Sequence, residues 1–403
     1  MRVKALVMIA VTLVLATTAW ASSESVLYSF NSFSGDGYYP YSGLVADAKG
    51  NLYGTTQSGG VTTTPYGTVF ELTLSGGIWT ETILHNFIGG TTDGAYPEYS
   101  SLVFDKAGNL YGTTQYGGAK NYGTVFVLTK SGKTWTERVL HSFTNVPPDG
   151  YYPQAGLSFD SAGLLYGTTE YGGAHGAGTV FQMKGSKGKW TYKVIHGFAS
   201  PGGYYPVGGL TQGMHGYYYG TTYYGGATFN AGTVYRLFQA RGVWVSQTVY
   251  TFSGGASGTN PDSSLTTDAA GNLFGTTYTG GDLNLGTVFE LKAGKNDKYS
   301  YRVLYSLKGN PDGNTPYYGS GVALDAKGDL FGTTYYGGTN NAGSAYELKL
   351  TTGHYKEHVL WSFGASGDGS YPRAGVILVK GKVLGTTYTG GAHSAGTVYA
   401  ITP

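Results

Sequence analysis

Three observations predict the fold class. A Gly-Thr-Thr landmark recurs seven times at intervals of 53–58 residues, four strand signals fit inside each interval, and an N-terminal segment matches the one strand missing from the last copy. Together they predict an all-β chain, a seven-bladed β-propeller of four-stranded antiparallel blades closed by its N-terminal strand.

The landmark glycines are Gly54, Gly112, Gly167, Gly220, Gly275, Gly332 and Gly385. The second copy shows the unit. Ser101–Phe104 reads as strand a, Asn109–Thr114 as strand b, Gly123–Thr129 as strand c and Thr134–Phe143 as strand d. A turn at Asp105–Gly108 joins a to b, a glycine-rich loop at Tyr116–Tyr122 joins b to c, and Lys130–Lys133 turns c into d. An Asp-Gly-x-x-Pro connection leads to the next copy. The glycines suit turns that need positive φ. A parallel β-helix has a much shorter repeat, and separate tandem domains fail because one four-stranded sheet of this length cannot bury both faces.

The termini sharpen the prediction. Gly396–Ile401 reads as a strand c with no strand d after it. Val26-Leu27-Tyr28-Ser29-Phe30 resembles the strand d segments Val139–Phe143, Val303–Leu307 and Val359–Phe363. Pairing the two ends closes the ring and removes an open sheet edge. One propeller domain is expected over 22–403.

Residues 1–21 read as a secretory signal peptide. Arg2 and Lys4 precede an apolar run from Ala5 to Ala16, and Ala19-Trp20-Ala21 is a small-x-small cleavage site. The apolar run is shorter than the ~20 residues of a membrane span. A secreted protein is expected, extracellular, on the cell surface or periplasmic, with no membrane span in the mature chain.

Composition excludes several classes. The chain of 403 residues is 40% hydrophobic with a net charge of +2, unlike a disordered chain. Its 69 glycines show no three-residue period, so it is not collagen-like. No basic stripe marks a nucleic-acid binder. Cysteine is absent, so neither disulfides nor thiol chemistry enter.

The run Gly108–Thr114, then Gly117-Gly118, then Gly123-Thr124-Val125-Phe126 resembles the GloVer extracellular repeat of the choice-of-anchor tandem repeat proteins of environmental bacteria. The resemblance implies export, often with a surface anchor, and brings no established activity. A weaker similarity is to Kelch repeats, which also place Gly-Gly after strand b and an aromatic before strand d. Trp79, Trp135, Trp190, Trp244, Tyr299 and Tyr355 hold that aromatic position, where blade-to-blade packing is expected.

Candidate chemistry is sparse. His85, His141 and His196 share a strand-d position that Tyr28, Tyr250, Tyr305 and Trp361 hold elsewhere, which reads as a demand for a flat ring. Asp47, Asp105, Asp160, Asp268 and Asp325 head Asp-x-x-Gly turns. Asp36, Asp93, Asp149, Asp312 and Asp368 open the Asp-Gly-x-x-Pro connections and also read as turn formers. No metal or cofactor is expected. A catalytic residue in a repeat should be singular, and Glu170 and Asp282 are the two weak candidates. No nucleophile elbow, zinc-binding helix or phosphate loop is present.

Tyrosine is the stronger signal, with 38 copies. In a four-stranded meander the b–c loop and the connection to the next blade fall on one face, and both are tyrosine-rich. The candidate ligand-binding residues are Tyr39, Tyr96, Tyr116, Tyr152, Tyr171, Tyr205, Tyr224, Tyr336 and Tyr371. Phenols offer a flat apolar body and a polar tip, which suits a neutral glycan or an extracellular protein. The same rings also suit wedging the loops together. The expected function is a monomeric binding module. The alternatives are a carbohydrate hydrolase or lyase with Glu170 near the central funnel, and a structural surface or matrix protein.

Overall fold

The computed structural model describes residues 22–33, 35–60, 65–99, 101–186, 188–226, 229–317 and 319–403. The signal peptide expected over 1–21 lies outside them. Seven four-stranded antiparallel sheets follow one another, each in the order a-b-c-d. In blade 2 the strands are Val103–Phe104, Leu110–Thr114, Thr124–Ser131 and Thr134–Ser142. Strand a is shorter than expected, because only two of its residues pair with strand b. Among the described residues helix is confined to three short 3-10 turns at 214–216, 255–257 and 295–297. Among the described residues no helix is long and apolar enough to cross a membrane.

The landmark acts as a three-part joint. A Cβ on Gly54 would stand 2.6 Å from Cζ of Phe70, so glycine clears space for the aromatic ring of strand c. The second threonine ties b to c through paired hydroxyls, from Thr56–Thr68 at 2.8 Å to Thr387–Thr397 at 2.8 Å. The first threonine reaches the following blade: Thr55 donates to the Pro97 carbonyl at 2.8 Å and Thr333 to the Ala374 carbonyl at 2.8 Å. Strand b is buried along its whole length in six blades, and in blade 7 everywhere but at Lys382.

The apolar cores lie between blades. Phe143 of blade 2, for example, packs with Leu157, Leu165 and Phe181 of blade 3. Trp135 crosses onto Tyr53 at 6.4 Å and Trp190 onto Tyr111 at 5.5 Å, as expected of the aromatic before strand d. The ring closes as the sequence predicts. Ser23–Ser29 is strand d of the last blade and pairs antiparallel with Thr397–Thr402, Val26 opposite Tyr399 and Tyr28 opposite Val398. Phe30 is fully buried against Phe70 and Val398.

One backbone feature recurs at every junction. The residue before the connection's proline holds a positive φ in all seven copies: Tyr39, Tyr96, Tyr152, Tyr205, Asn260, Thr315 and Tyr371, between 55° and 61°. Non-glycine residues seldom adopt this conformation. Its cause is a main-chain staple. Tyr96 donates N–H to the Tyr66 carbonyl in the b–c loop of blade 1 and accepts from the Gln115 N–H of blade 2, at 2.8 and 3.0 Å. The other six make equivalent bonds.

Candidate functional site

The connections pair with the b–c loops of their own blades in short ribbons, such as Gly94–Ala95 with Tyr116–Gly117. This puts the two tyrosine-rich loop sets on one face. The a–b turns and c–d hairpins occupy the other. There the turn aspartates behave as expected: Asp105 Oδ1 accepts the N–H groups of Ala107 and Asn109 at 2.8 and 2.9 Å.

On the first face the predicted tyrosines join one belt of ring contacts. Centroid distances run from Tyr96 to Tyr116 at 5.9 Å, on to Tyr152 at 5.0 Å, Tyr171 at 6.2 Å, Tyr205 at 4.7 Å and Tyr224 at 6.0 Å. From Tyr224 it passes through Tyr223, Tyr278, Tyr317 and Tyr335 to Tyr371. Tyr336 packs edge-on against Tyr371 at 6.0 Å and is 41% exposed. Tyr39 stacks on Tyr388 at 4.8 Å. The rings are half-buried, so each presents one edge or face outward while its neighbours hold the rest. Tyr66, Tyr96 and Tyr116, with Gly89, Gly90, Ala95 and Asn121, enclose a recess of about 200 Å³ in this belt.

The segments after each connection's proline converge on the axis, where all seven copies line a narrow cavity of about 200 Å³. The residue directly after each proline lies in this lining or adjoins it closely in sequence. The position after the proline is Tyr41, Glu98, Gln154, Val207, Asp262, Tyr317 or Arg373, different in nearly every copy. That variation at a fixed place in a repeat was the available signal. The Arg373 guanidinium lies 3.9 Å from the Tyr388 ring centroid and 4.4–5.0 Å from those of Tyr41, Tyr317 and Tyr335. It donates to the Tyr335 hydroxyl at 2.8 Å and to the Tyr41 hydroxyl. Arg373 is thus a cationic keystone that ties Tyr41 and Tyr388 to Tyr317 and Tyr335 in the belt.

Three carboxyls stand at this position or beside it. Burial pushes Glu98 up, opposed by the Gln57 amide at 2.6 Å and by Arg373. Burial pushes Asp262 well up, and neither of its oxygens has a partner among the described residues. Glu170 is half-buried and also raised by burial, partly offset by a hydrogen bond with Tyr171. Its electrostatic neighbours are tyrosines. Asp282 lies apart, exposed on the b–c loop of blade 5.

The histidine position asks for more than a flat ring. Wherever an aspartate opens the following connection, the ring turns a polar edge to it. Tyr28 donates to Asp36 at 3.0 Å, Tyr305 to Asp312 at 2.8 Å and the Trp361 indole to Asp368 at 2.9 Å. His85 Nε2 lies 3.2 Å from Asp93, and His141 Nε2 3.4 Å from Asp149. The expectation that these aspartates serve turns is therefore incomplete, for they also pin strand d. His85, Asp93 and Glu137 place three potential metal-ligand atoms within 4.8 Å of one another. The same cradle carries tyrosine or tryptophan in sister copies, so hydrogen bonding accounts for the pattern.

Fold and face together define a closed tandem-repeat β-propeller with one tyrosine-rich face. The chain belongs to the Gloeobacter/Verrucomicrobia repeat family, whose model matches residues 12–235, 62–289 and 192–399. No curated protein matches it in sequence. Among solved structures it is similar to the extracellular domain of a hybrid two-component system from B. thetaiotaomicron. That match has 12% identity and a TM-score of 0.59, over 94% of this chain and 42% of the other. It is also similar to PorZ, a surface component of the type-IX secretion system of Porphyromonas gingivalis, with 13% identity and a TM-score of 0.50, over 91% and 46%. The chain spans less than half of either protein, and at these identities the likeness shows the fold alone.

Proposed function

We propose that the protein is a secreted binding module whose tyrosine belt receives a neutral glycan. The supporting observation is the belt itself, half-exposed phenols in contact across the blades, with a sugar-sized recess at Tyr66, Tyr96 and Tyr116. Stacked rings lose little entropy on binding, and their hydroxyls offer both donors and acceptors. The signal-peptide pattern and the extracellular setting of the two structural relatives support export. A glycan-array screen of the mature protein, followed by titration of hits against Tyr96→Ala, Tyr116→Ala, Tyr152→Ala, Tyr171→Ala and Tyr205→Ala, tests the reading. Each substitution should weaken binding by about 0.5–1.5 kcal/mol. Loss of stability with affinity unchanged would make the rings mortar between blades.

The raised carboxyls of Glu98, Glu170 and Asp262 favour a second reading, a carbohydrate-cleaving enzyme with Glu170 as proton donor. Release of reducing ends, abolished in Glu170→Gln, would establish it in place of simple binding.

A further inference from the structure

A second set of buried acids lies in the seams between blades. Strand d carries Glu24 in blade 7, Glu81 in blade 1, Glu137 in blade 2 and Glu357 in blade 6, all at the same register. Each faces the aspartate that pins the preceding blade's strand d. Glu81 lies against Asp36, whose Oδ1 is buried without a donor among the described residues. Glu137 lies within 4.8 Å of Asp93, and Glu357 and Glu24 act on Asp312 and Asp368. The aspartates already accept from ring donors and from backbone N–H groups, such as Asn31 to Asp36 at 2.9 Å and Ile88 to Asp93 at 2.8 Å. One oxygen of every one of these glutamates is buried with no partner among the described residues: Oε1 of Glu24, Glu81, Glu137 and Glu357.

We propose that each of these four Glu–Asp pairs shares one proton, making the seams latches that hold in mildly acidic surroundings and loosen in alkali. Two carboxylates cannot satisfy each other, since both only accept; a protonated glutamic acid donates. Two like charges in a buried seam also repel, and one proton removes the repulsion. The glutamates are displaced accordingly, by burial first and the facing aspartate second: Glu24, Glu137 and Glu357 to about 7 and Glu81 to about 8. The other charged groups nearby are Arg138 and His85 at Glu137 and Lys308 at Glu357. They pull the other way without cancelling the rise. Tyr28, Tyr305, Tyr346 and Tyr399 complete the titratable surroundings. The molecule holds its own control. At the next junction Tyr192 replaces the glutamate, and Asp149, facing His141 and a neutral hydroxyl, is lowered.

The sign follows from linkage. Unfolded, these glutamates ionise near their ordinary 4.5; folded, they keep the proton to about 7–8. Folding therefore takes up protons in that window. Their contribution is fully present below about pH 4.5 and is lost as pH rises through 7–8.

The test is calorimetric unfolding in buffers of different ionisation enthalpy, which counts the protons released. At pH 6 the variant E24Q/E81Q/E137Q/E357Q should release about three to four fewer protons than the parent. Its amide groups still donate to the aspartates. Its melting temperature should change little between pH 5 and 8.5 from this source, where the parent's falls. If the fourfold variant does not fold, Glu81→Gln alone should release about one proton fewer. Equal proton release and an equal pH slope in parent and variant would overturn the proposal. So would a raised melting temperature in the parent, but not in Glu137→Gln, on adding zinc alone, since the second seam would then be a metal site.

Discussion

Removing three oxygen atoms should make this protein more stable. In strand c the ring that crosses the landmark glycine is Phe70, Phe126, Phe181 or Phe289 in four blades and Tyr235, Tyr346 or Tyr399 in three. All occupy the same place: a Cβ on the landmark glycine would lie 2.4–2.7 Å from the phenylalanine Cζ, and 2.4–2.5 Å from the tyrosine hydroxyl. The three tyrosines are 0–2% exposed, and none of their hydroxyls has a partner among the described residues. A buried hydroxyl without a hydrogen bond costs about 1–3 kcal/mol. Taking about 1–2 kcal/mol for each Tyr→Phe change, the triple variant Y235F/Y346F/Y399F gains about 3–6 kcal/mol, since the sites sit in separate blades and should add. Unfolding entropy near 2.1 cal/mol/K per residue gives roughly 0.8 kcal/mol/K for a chain of this length, hence a rise of about 4–7 °C. Thermal melts of the single and triple variants measure it. A fall, or no change, would refute the reasoning and mean that the hydroxyls are satisfied in solution.

Two further outcomes follow from the same geometry. Phe30→Ala should cost about 3–5 kcal/mol in denaturant unfolding, as much as Phe143→Ala at an internal junction; a markedly smaller loss would mean that the N-terminal strand does not close the ring in solution. His196 has no aspartate opposite it and is depressed by burial to about 4. Its unfolded form takes up a proton below about 6.5, so its contribution is lost as pH falls from 6.5 toward 4. His196→Phe should flatten that acid limb in pH-dependent melts, and an unaltered limb would assign it to other groups.

The repeat made the fold legible, because glycine, two threonines and an aromatic recur wherever the joint between strands and blades needs them. Strand a misled by length: only two of its residues pair in six blades and three in blade 7, which no periodicity reveals. The positive φ of Tyr96 and its equivalents was hidden because tyrosine carries no signal for that conformation; neighbouring loops impose it. The tyrosine face was legible from composition and connectivity together. Arg373, Glu98 and Asp262 were missed because the search for singular residues followed the Gly-Thr-Thr landmark rather than the proline. The Glu–Asp seams were invisible for another reason. Glu81 and Asp36 lie far apart in sequence and meet only when strand d packs over the connection into its own blade. Glu24 meets Asp368 only when the ring closes.

The closing pair also sets an order of events during synthesis. Val26 is made before all seven Gly-Thr-Thr copies, and its partner Tyr399 after them. At about 5–20 residues per second, the first strand waits roughly 20–80 s for the strand it will pair with. Throughout that interval six nascent blades can stack in succession while the ring stays an open arc. Joining the ends then carries the entropy of a loop nearly as long as the chain, a penalty that grows only logarithmically with length. A ribosome stalled before Thr397–Thr402 would therefore leave an open ring with two sticky edges, able to pair with a second unclosed copy.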